Sequence, residues 1–367
     1  MSTQKNLSAP PAQAQPADAA VETRLITEAP RSPSQRAWAR FKRNRFGYVS
    51  LWLFAVIMLV ATFAEVVSND RPFIAHIDGK TWYPILSNPS DRDLGGDFAT
   101  AADWKDPFIV GQLSKPGNWK IGTINPHSAN SADYFSKSPS PSAPSASNWL
   151  GTDRFGRDMV ARLLYGFRVS IFFAIALTLA GTVFGIVMGA IQGYFGGRVD
   201  LTIQRLIEIW GSVPELYLLI IVASIFEPSL GLLLVLLSLF GWIGLSDYVR
   251  AEFLRNRSLE FVKAARALGL SNLQIIRRHV LPNSLTPVIT FLPFRMGAAI
   301  FALTSLDFLG LGVPTTVPSL GELLKQGKDW LDAWWIIVPT FLVLTITMAL
   351  LIFIGDALRD AFDTRKS

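Results

Sequence analysis

The sequence predicts an all-α integral membrane protein with six membrane-spanning helices, and three observations carry that prediction. Half of its 367 residues are hydrophobic and only 17% are charged, against about 25% in a typical soluble domain. Six stretches are long and apolar enough to cross a bilayer, which needs about 20 residues of helix. Lys and Arg gather in alternate connections between those stretches, the pattern of loops held on one side of a membrane. This composition excludes a soluble globular enzyme, a disordered hub and a nucleic-acid-binding domain. The net charge of +6 and the pI near 9.6 fit basic membrane-flanking loops. Without cysteine there are neither disulfides nor thiolate sites, and His76, His127 and His279 are too scattered for a histidine metal cluster.

Taken in order, residues 1–35 include the Ala/Pro/Gln-rich run SAPPAQAQPADAA, which cannot bury a core and predicts a disordered cytoplasmic tail. Residues 36–68 bring the basic cluster Arg36, Arg40, Lys42, Arg43 and Arg45 into a first span at 48–68, too long and too far from the start for a cleaved signal. Residues 69–166 form a long Asp-, Pro- and Ser-rich loop. Its Trp82, Tyr83, Trp104, Phe108, Trp119 and Trp149 either seed a small domain or pack on the membrane face. The core, 167–362, holds the other spans at 169–193, 206–226, 229–248, 285–309 and 334–355, and a short tail follows at 363–367.

Orientation follows from the connections. Arg198 and Arg205 join the second and third spans. The 250–283 loop holds Arg250, Arg255, Arg257, Lys263, Arg266, Arg277 and Arg278, and Arg359, Arg365 and Lys366 follow the last span. Of the alternate connections, the one between the third and fourth spans carries no Lys or Arg, and the one between the fifth and sixth carries only Lys325 and Lys328. In the long 69–166 loop the basic residues are roughly balanced by acids. Both termini are therefore expected in the cytoplasm, with 69–166 on the far side.

The segment FVKAARALGLSNLQIIRRHVLPNSL, 261–285, predicts a short helix, a turn at Gly269, and a second short helix capped by Ser271 and ended by Pro282. On these residues alone, an amphipathic loop lying along the membrane interface is an equal reading. The pattern Ala264-Ala265, then Gly269, then Leu281-Pro282 resembles the EAA loop of ABC importer permeases. The resemblance implies that Lys263, Ala264, Ala265, Arg266, Gly269, Leu281 and Pro282 belong to a coupling loop that docks on an ATPase subunit. Lys263 stands where that family has Glu, so a Glu-specific contact is not carried over.

Further segments resemble the C-type permeases of peptide and nickel importers. These are RAWARFKRNRFGYVSLW at 36–52, NWLGTDRFGRDMVARLLYGFRVSI at 148–171 and TSLDFLGLGVPTTVPSLGELLKQGK at 304–328. The loop segments NDRPFIAHIDGKTWYPIL and LGGDFATAADWKDPF resemble the Yej-type subgroup, linked to oligopeptides and microcin C. The resemblance covers nearly the whole chain from residue 36. It implies a type I importer bundle in a bacterial inner membrane that carries oligopeptides or peptide-like compounds. The implied partners are a second, related permease in a heterodimer, a periplasmic binding protein and an ATPase, in this subgroup one fused chain. No cofactor is expected on this chain, because ATP and Mg would sit on the ATPase.

Other residues can be read without the family. Gly181, Gly185, Gly189 and Gly193 strip one face of the second span, which lets a neighbouring backbone approach. Pro214 kinks the third span and frees a backbone carbonyl, which is tolerated where that group faces protein or a water-filled path. Glu208 and Glu215, seven apart, are expected on one helix face. With Arg295, in the middle of the fifth span, they either line a path for a zwitterionic peptide or form an internal ion pair. Asp307 and Asp356, near span ends, read as interfacial caps or solvated charges. Asp153, Arg154, Arg157 and Asp158 around Gly156 read as a turn ordered by local salt bridges or as a binding-protein contact.

No GxxxxGK[ST], GxSxG or HExxH motif is present, which argues against an enzyme. The alternative function is a self-contained secondary transporter or channel. Such carriers often show an inverted repeat, which these spans lack, and they have no use for a docking loop.

Overall fold

The computed structural model describes residues 33–132 and 139–363. The expected tail lies outside the described residues as far as 32, and a helix already begins at Pro33, inside the 1–35 boundary. That helix, α1 (Pro33–Arg43), turns Phe41 onto Ala357 and Ala361 of the last helix. Asn44 then caps α2 (Arg45–Thr62) by accepting the Gly47 N–H at 3.1 Å. A side chain at Gly47 would collide with Ala357, so this glycine lets the first span cross the last closely.

The second span is one helix, α4 (Met159–Phe195), which starts ten residues ahead of the expected 169. Asp158 makes this extension possible, since its carboxylate caps the Ala161 N–H. The third stretch is a broken pair, α5 (Gly197–Gly211) and α6 (Glu215–Ile225), bent by 61°. Pro214 offers no N–H and its ring obstructs the preceding turn, so the helix stops and restarts at Glu215. The fourth span runs through α7 (Leu230–Phe240) and α8 (Ile243–Asn256) with a turn at 241–242.

After α9 (Glu260–Ala267) comes α10 (Asn272–Ile275), a π turn (Ile276–Val280) and then α11 (Leu281–Leu309), the fifth span. Pro282 therefore does not end the second short helix, as the sequence suggested; it sits in the first turn of the helix that continues it. The wider π turn gives its ring room, and Asn283 Nδ2 donates to the His279 carbonyl at 2.7 Å. A short amphipathic helix, α12 (Leu320–Asp329), precedes the sixth span, α13 (Trp334–Phe362). Among the described residues, five helical runs are thus long and apolar enough to cross a membrane, and the bent pair makes a sixth.

Residues 69–132 and 139–158 lie between the first two spans, and the first of these segments builds a small domain around its own core. Strands β1 (Ile74–Ile77), β2 (Lys80–Trp82) and β3 (Trp119–Ile121) form an antiparallel sheet in the order β2-β1-β3, with α3 (Pro107–Leu113) beside it. The hairpin turns at Asp78 and Gly79, both with positive φ, which matches the strand twist. Ala75, Ile77, Leu94, Ala102, Trp104 and Ile109 are buried together. Of the six aromatics in question, Trp104 is buried and Trp82 packs on this core, while Tyr83, Phe108, Trp119 and Trp149 stay exposed. Asn125 ties the domain to the bundle by donating to Ser68 Oγ at 3.0 Å and to Asp158 Oδ1 at 2.8 Å.

Candidate docking loop and membrane cavity

At one end of the bundle the 250–283 loop folds back onto α4 and α8. Val262, Ala265, Ile275 and Val280 are buried against Ala190, Tyr194, Val249 and Phe253. Tyr194 Oη donates to Asn272 Oδ1 at 2.8 Å, and Arg257 donates to the Tyr194 carbonyl at 3.1 Å. Gly269, with φ of +81°, makes the left-handed turn that a side chain would strain. Ser271 and Gln274 then form a reciprocal capping box. The face opposite that anchor is open. Leu259 and Phe261 are exposed, Leu268 is 80% exposed and Leu273 63%. Lys263 is also exposed and pairs with Glu260 one turn earlier at 2.8 Å, while Ala264 and Arg266 face outward. Leu281 and Pro282 belong to the base of the fifth span.

The four-glycine ridge faces the fourth span. A Cβ on Gly189 would stand 2.5 Å from the Ser246 carbonyl oxygen, and one on Gly193 would stand 2.6 Å from that of Arg250 and collide with Phe253. Gly185 meets Trp242 and Leu245, and Gly181 lies against Arg295 and Gly241.

Arg295 lines a cavity of about 180 Å³ with Glu215, Thr178, Leu177, Leu237 and Gly241. Its NH2 group donates to the Gly241 carbonyl at 2.8 Å, and its buried Nε has no hydrogen-bond partner among the described residues. No ion pair joins Arg295 to a carboxylate among the described residues, so the internal-pair reading fails for it. Glu208 lies elsewhere. The break at Pro214 removes it from the face of Glu215, and it pairs with Arg205 at 2.6 Å on an exposed surface.

At the opposite end lies a buried charge network that sequence reasoning caught only in part. Asp153 and Arg157 pair locally at 2.6 Å, as one reading expected. Arg157 also reaches Glu322 at 3.4 Å, and Glu322 holds Arg162 at 2.6 Å; the Arg162 side chain is 0% exposed. Gln326 accepts the Arg154 N–H at 3.1 Å, which locks α12 to the turn before α4. Asp307 is neither a solvated charge nor an interfacial cap: it is buried, accepting from the Val313 N–H at 2.9 Å and from Ser319 Oγ. Asp356 is exposed. A signal for Glu322 was present in the sequence, because Ser319 three residues ahead caps α12 and fixes that glutamate in its first turn.

An apolar multi-span bundle with a charged cluster at one end, an exposed amphipathic loop at the other and charged residues within its spans is the architecture of a membrane transport protein. Residues 161–367 match the family described as the binding-protein-dependent transport system inner membrane component. Residues 32–89 match the N-terminal TM domain of oligopeptide transport permease C. The chain is 47% identical over 334 residues to the inner membrane ABC transporter permease protein YejE of Escherichia coli (strain K12), covering 91% of this chain and 98% of that one. It is 44% identical to the peptidoglycan transport system permease protein YejE of Agrobacterium fabrum, over 91% of this chain and 93% of the relative. It is 30% identical to the dipeptide transport system permease protein DppC of Lactococcus lactis, over 91% of each. Among solved structures, a chain of the MetNI methionine ABC transporter in inward-facing conformations is 20% identical, covering 55% of this chain and 97% of that chain, with a TM-score of 0.47.

The chain belongs to the binding-protein-dependent transport system inner membrane component family. It is a multi-span, non-catalytic permease subunit of an inner-membrane ABC importer.

Proposed function

We propose that this chain forms half of the translocation pathway of an ATP-driven importer for oligopeptides or peptide-like compounds such as microcin C. ATP and Mg bind the partner ATPase, which is one fused chain, and this chain binds no cofactor. A second, related permease completes the pathway as a heterodimer, and a periplasmic binding protein delivers the cargo. Both termini lie in the cytoplasm, a placement supported by the Lys and Arg of the connections. Peptide-like cargo is supported by the relatives named for peptidoglycan and dipeptide transport, and microcin C by the resemblance of the 69–108 segments to the Yej-type subgroup.

The observation that carries the reading is the 259–275 surface. Its back is fixed by Val262, Ala265 and Ile275, while Leu259, Phe261, Leu268 and Leu273 present an apolar face with a basic rim. Rigid, exposed apolar groups rimmed by charge fit insertion into a groove on another protein. Closure of the ATPase would drive this loop, and α8 and α11, to which it is packed, would carry the motion into the bundle. The Glu215 and Arg295 cavity beside the Pro214 break is the candidate stretch of pathway, with the glycine ridge holding α4 against α8.

The test is a gentle-detergent pull-down from native membranes of the wild type and Gly269→Pro. Proline's φ near −65° is incompatible with the +81° found here. Wild type is expected to bring down an ATPase and a second permease, and the variant to lose the ATPase alone. Wild type emerging alone or as a homo-oligomer would overturn the reading in favour of a self-contained carrier.

A further inference from the structure

A second cavity, of about 490 Å³, opens at the end of the bundle away from the docking loop. Three separate connections converge on it: the turn before α4 gives Arg154, the third-to-fourth connection gives Glu227, and the segment from α11 into α12 gives Thr315 and Lys325. Its size falls within the range of small-ligand pockets, about 300–1,000 Å³.

The charges around it fall into two groups. Asp307 and Glu322 are committed, the first to Ser319 and the Val313 N–H, the second to Arg162 and Arg157. They form the wall. Arg154, Lys325 and Glu227 form no ion pair among the described residues. Arg154 is held in place without losing its charge, because Gln326 fixes its backbone N–H and its guanidinium lies 4.4 Å from the centre of the Phe155 ring. Glu227 and Arg154 are exposed, and Lys325 is half-buried. The cavity thus offers two free cations and one free anion around a lined, partly apolar space. An unpaired acid and unpaired bases in one concavity suit a ligand that carries both signs on separate atoms.

We propose that this cavity is a reception site for the charged ends of a short zwitterionic peptide, with Glu227 taking the ammonium end and Arg154 and Lys325 the carboxylate end. The site rests on the reading of the chain as a peptide permease and adds to it. The path would select its cargo at its mouth, ahead of the Arg295 cavity, rather than accept whatever the binding protein releases.

The test uses the assembled importer with its binding protein in proteoliposomes. A mixed pool of peptides of three to eight residues is the probe, with uptake read by mass spectrometry below saturation. Glu227→Gln and Lys325→Gln are each expected to lower uptake roughly tenfold, the effect of one lost charge-assisted contact. The dissociation constant of the binding protein for the complex, measured in parallel, should stay within about twofold of wild type. Wild-type uptake left unchanged in both variants overturns the site. So does a loss of uptake matched by an equal loss of binding-protein affinity, which would make the cavity rim a protein contact. A wild-type complex that takes up no peptide overturns the transport reading itself, and this site with it.

Discussion

Two arginines within the bundle helices differ in what surrounds them. Arg162 is wholly buried, yet Glu322 faces it at 2.6 Å, and Asp153 and Arg157 extend the pair into a neutral cluster. Arg295 is half-buried, has one carbonyl partner and shares its cavity with Glu215, which forms no ion pair among the described residues. The Nε of each arginine lacks a hydrogen-bond partner among the described residues, so the difference lies in the charge: that of Arg162 is matched by Glu322 and contributes order. A charge left half-satisfied at membrane depth is costly to the fold, and such residues mark substrate paths. The Arg162–Glu322 cluster closes part of one end on itself, while the cavity beside it, the Arg295 cavity and the 259–275 face stay open.

The largest expected effect tests the closed end. Glu322→Ala strands Arg162 and frees one side of Arg157, so it should destabilise by about 3–5 kcal/mol, the penalty of an unpaired buried charge. Thermal unfolding in lipid nanodiscs would show this as a large fall in Tm. Adding Arg162→Met to that variant should recover part of the loss. If Glu322→Ala unfolds like wild type, the contrast between the two arginines collapses.

The glycine ridge gives the next effect, with a control beside it. Gly193→Ala would drive a methyl into Phe253 and the Arg250 carbonyl, for an overpacking cost of about 1–3 kcal/mol. Gly244→Ala, on the facing helix with nothing within 4 Å of the new methyl, should instead be neutral or stabilise by up to about 1 kcal/mol through helix propensity. Opposite signs from the two substitutions would show that close approach, and not glycine content, sets this contact.

Arg295→Met sharpens the comparison from the other side. Its single carbonyl contact predicts a stability loss of no more than about 1.5–3 kcal/mol, the net value of one hydrogen bond made by a charged group, while uptake falls tenfold or more. A Tm loss as large as that of Glu322→Ala would assign Arg295 to the scaffold.

Much of this was legible in the sequence, for identifiable reasons. The spans declared themselves by length and apolarity. Gly269 and Ser271 announced the turn between α9 and α10, because a left-handed glycine ends one helix and a capping serine starts the next. The spacing of four glycines fixed one face of α4. What stayed hidden depends on distance along the chain. Arg162 and Glu322 are 160 residues apart, and no local pattern pairs them. Pro214 signalled a kink, but the 61° break that separates Glu208 from Glu215 depends on how α6 packs. Pro282 misled because a π turn can absorb a proline that an α-helix could not. The three-to-four-residue strands of the small domain are too short for periodicity to reveal them.

The smallest expected effect returns to the open end. Lys263→Glu would install the residue that the EAA pattern carries and break the pair with Glu260, leaving two carboxylates one helical turn apart. Both side chains are largely exposed, so stability should move by no more than about 0.5 kcal/mol. If docking rests on the apolar face of Leu268 and Leu273, ATPase co-purification should also stay unchanged in Lys263→Glu and fall sharply in Leu268→Ser. A large response to the charge reversal and none to the leucine would mean that this loop engages its ATPase through the 263 position. The exposed leucines would then need a different partner.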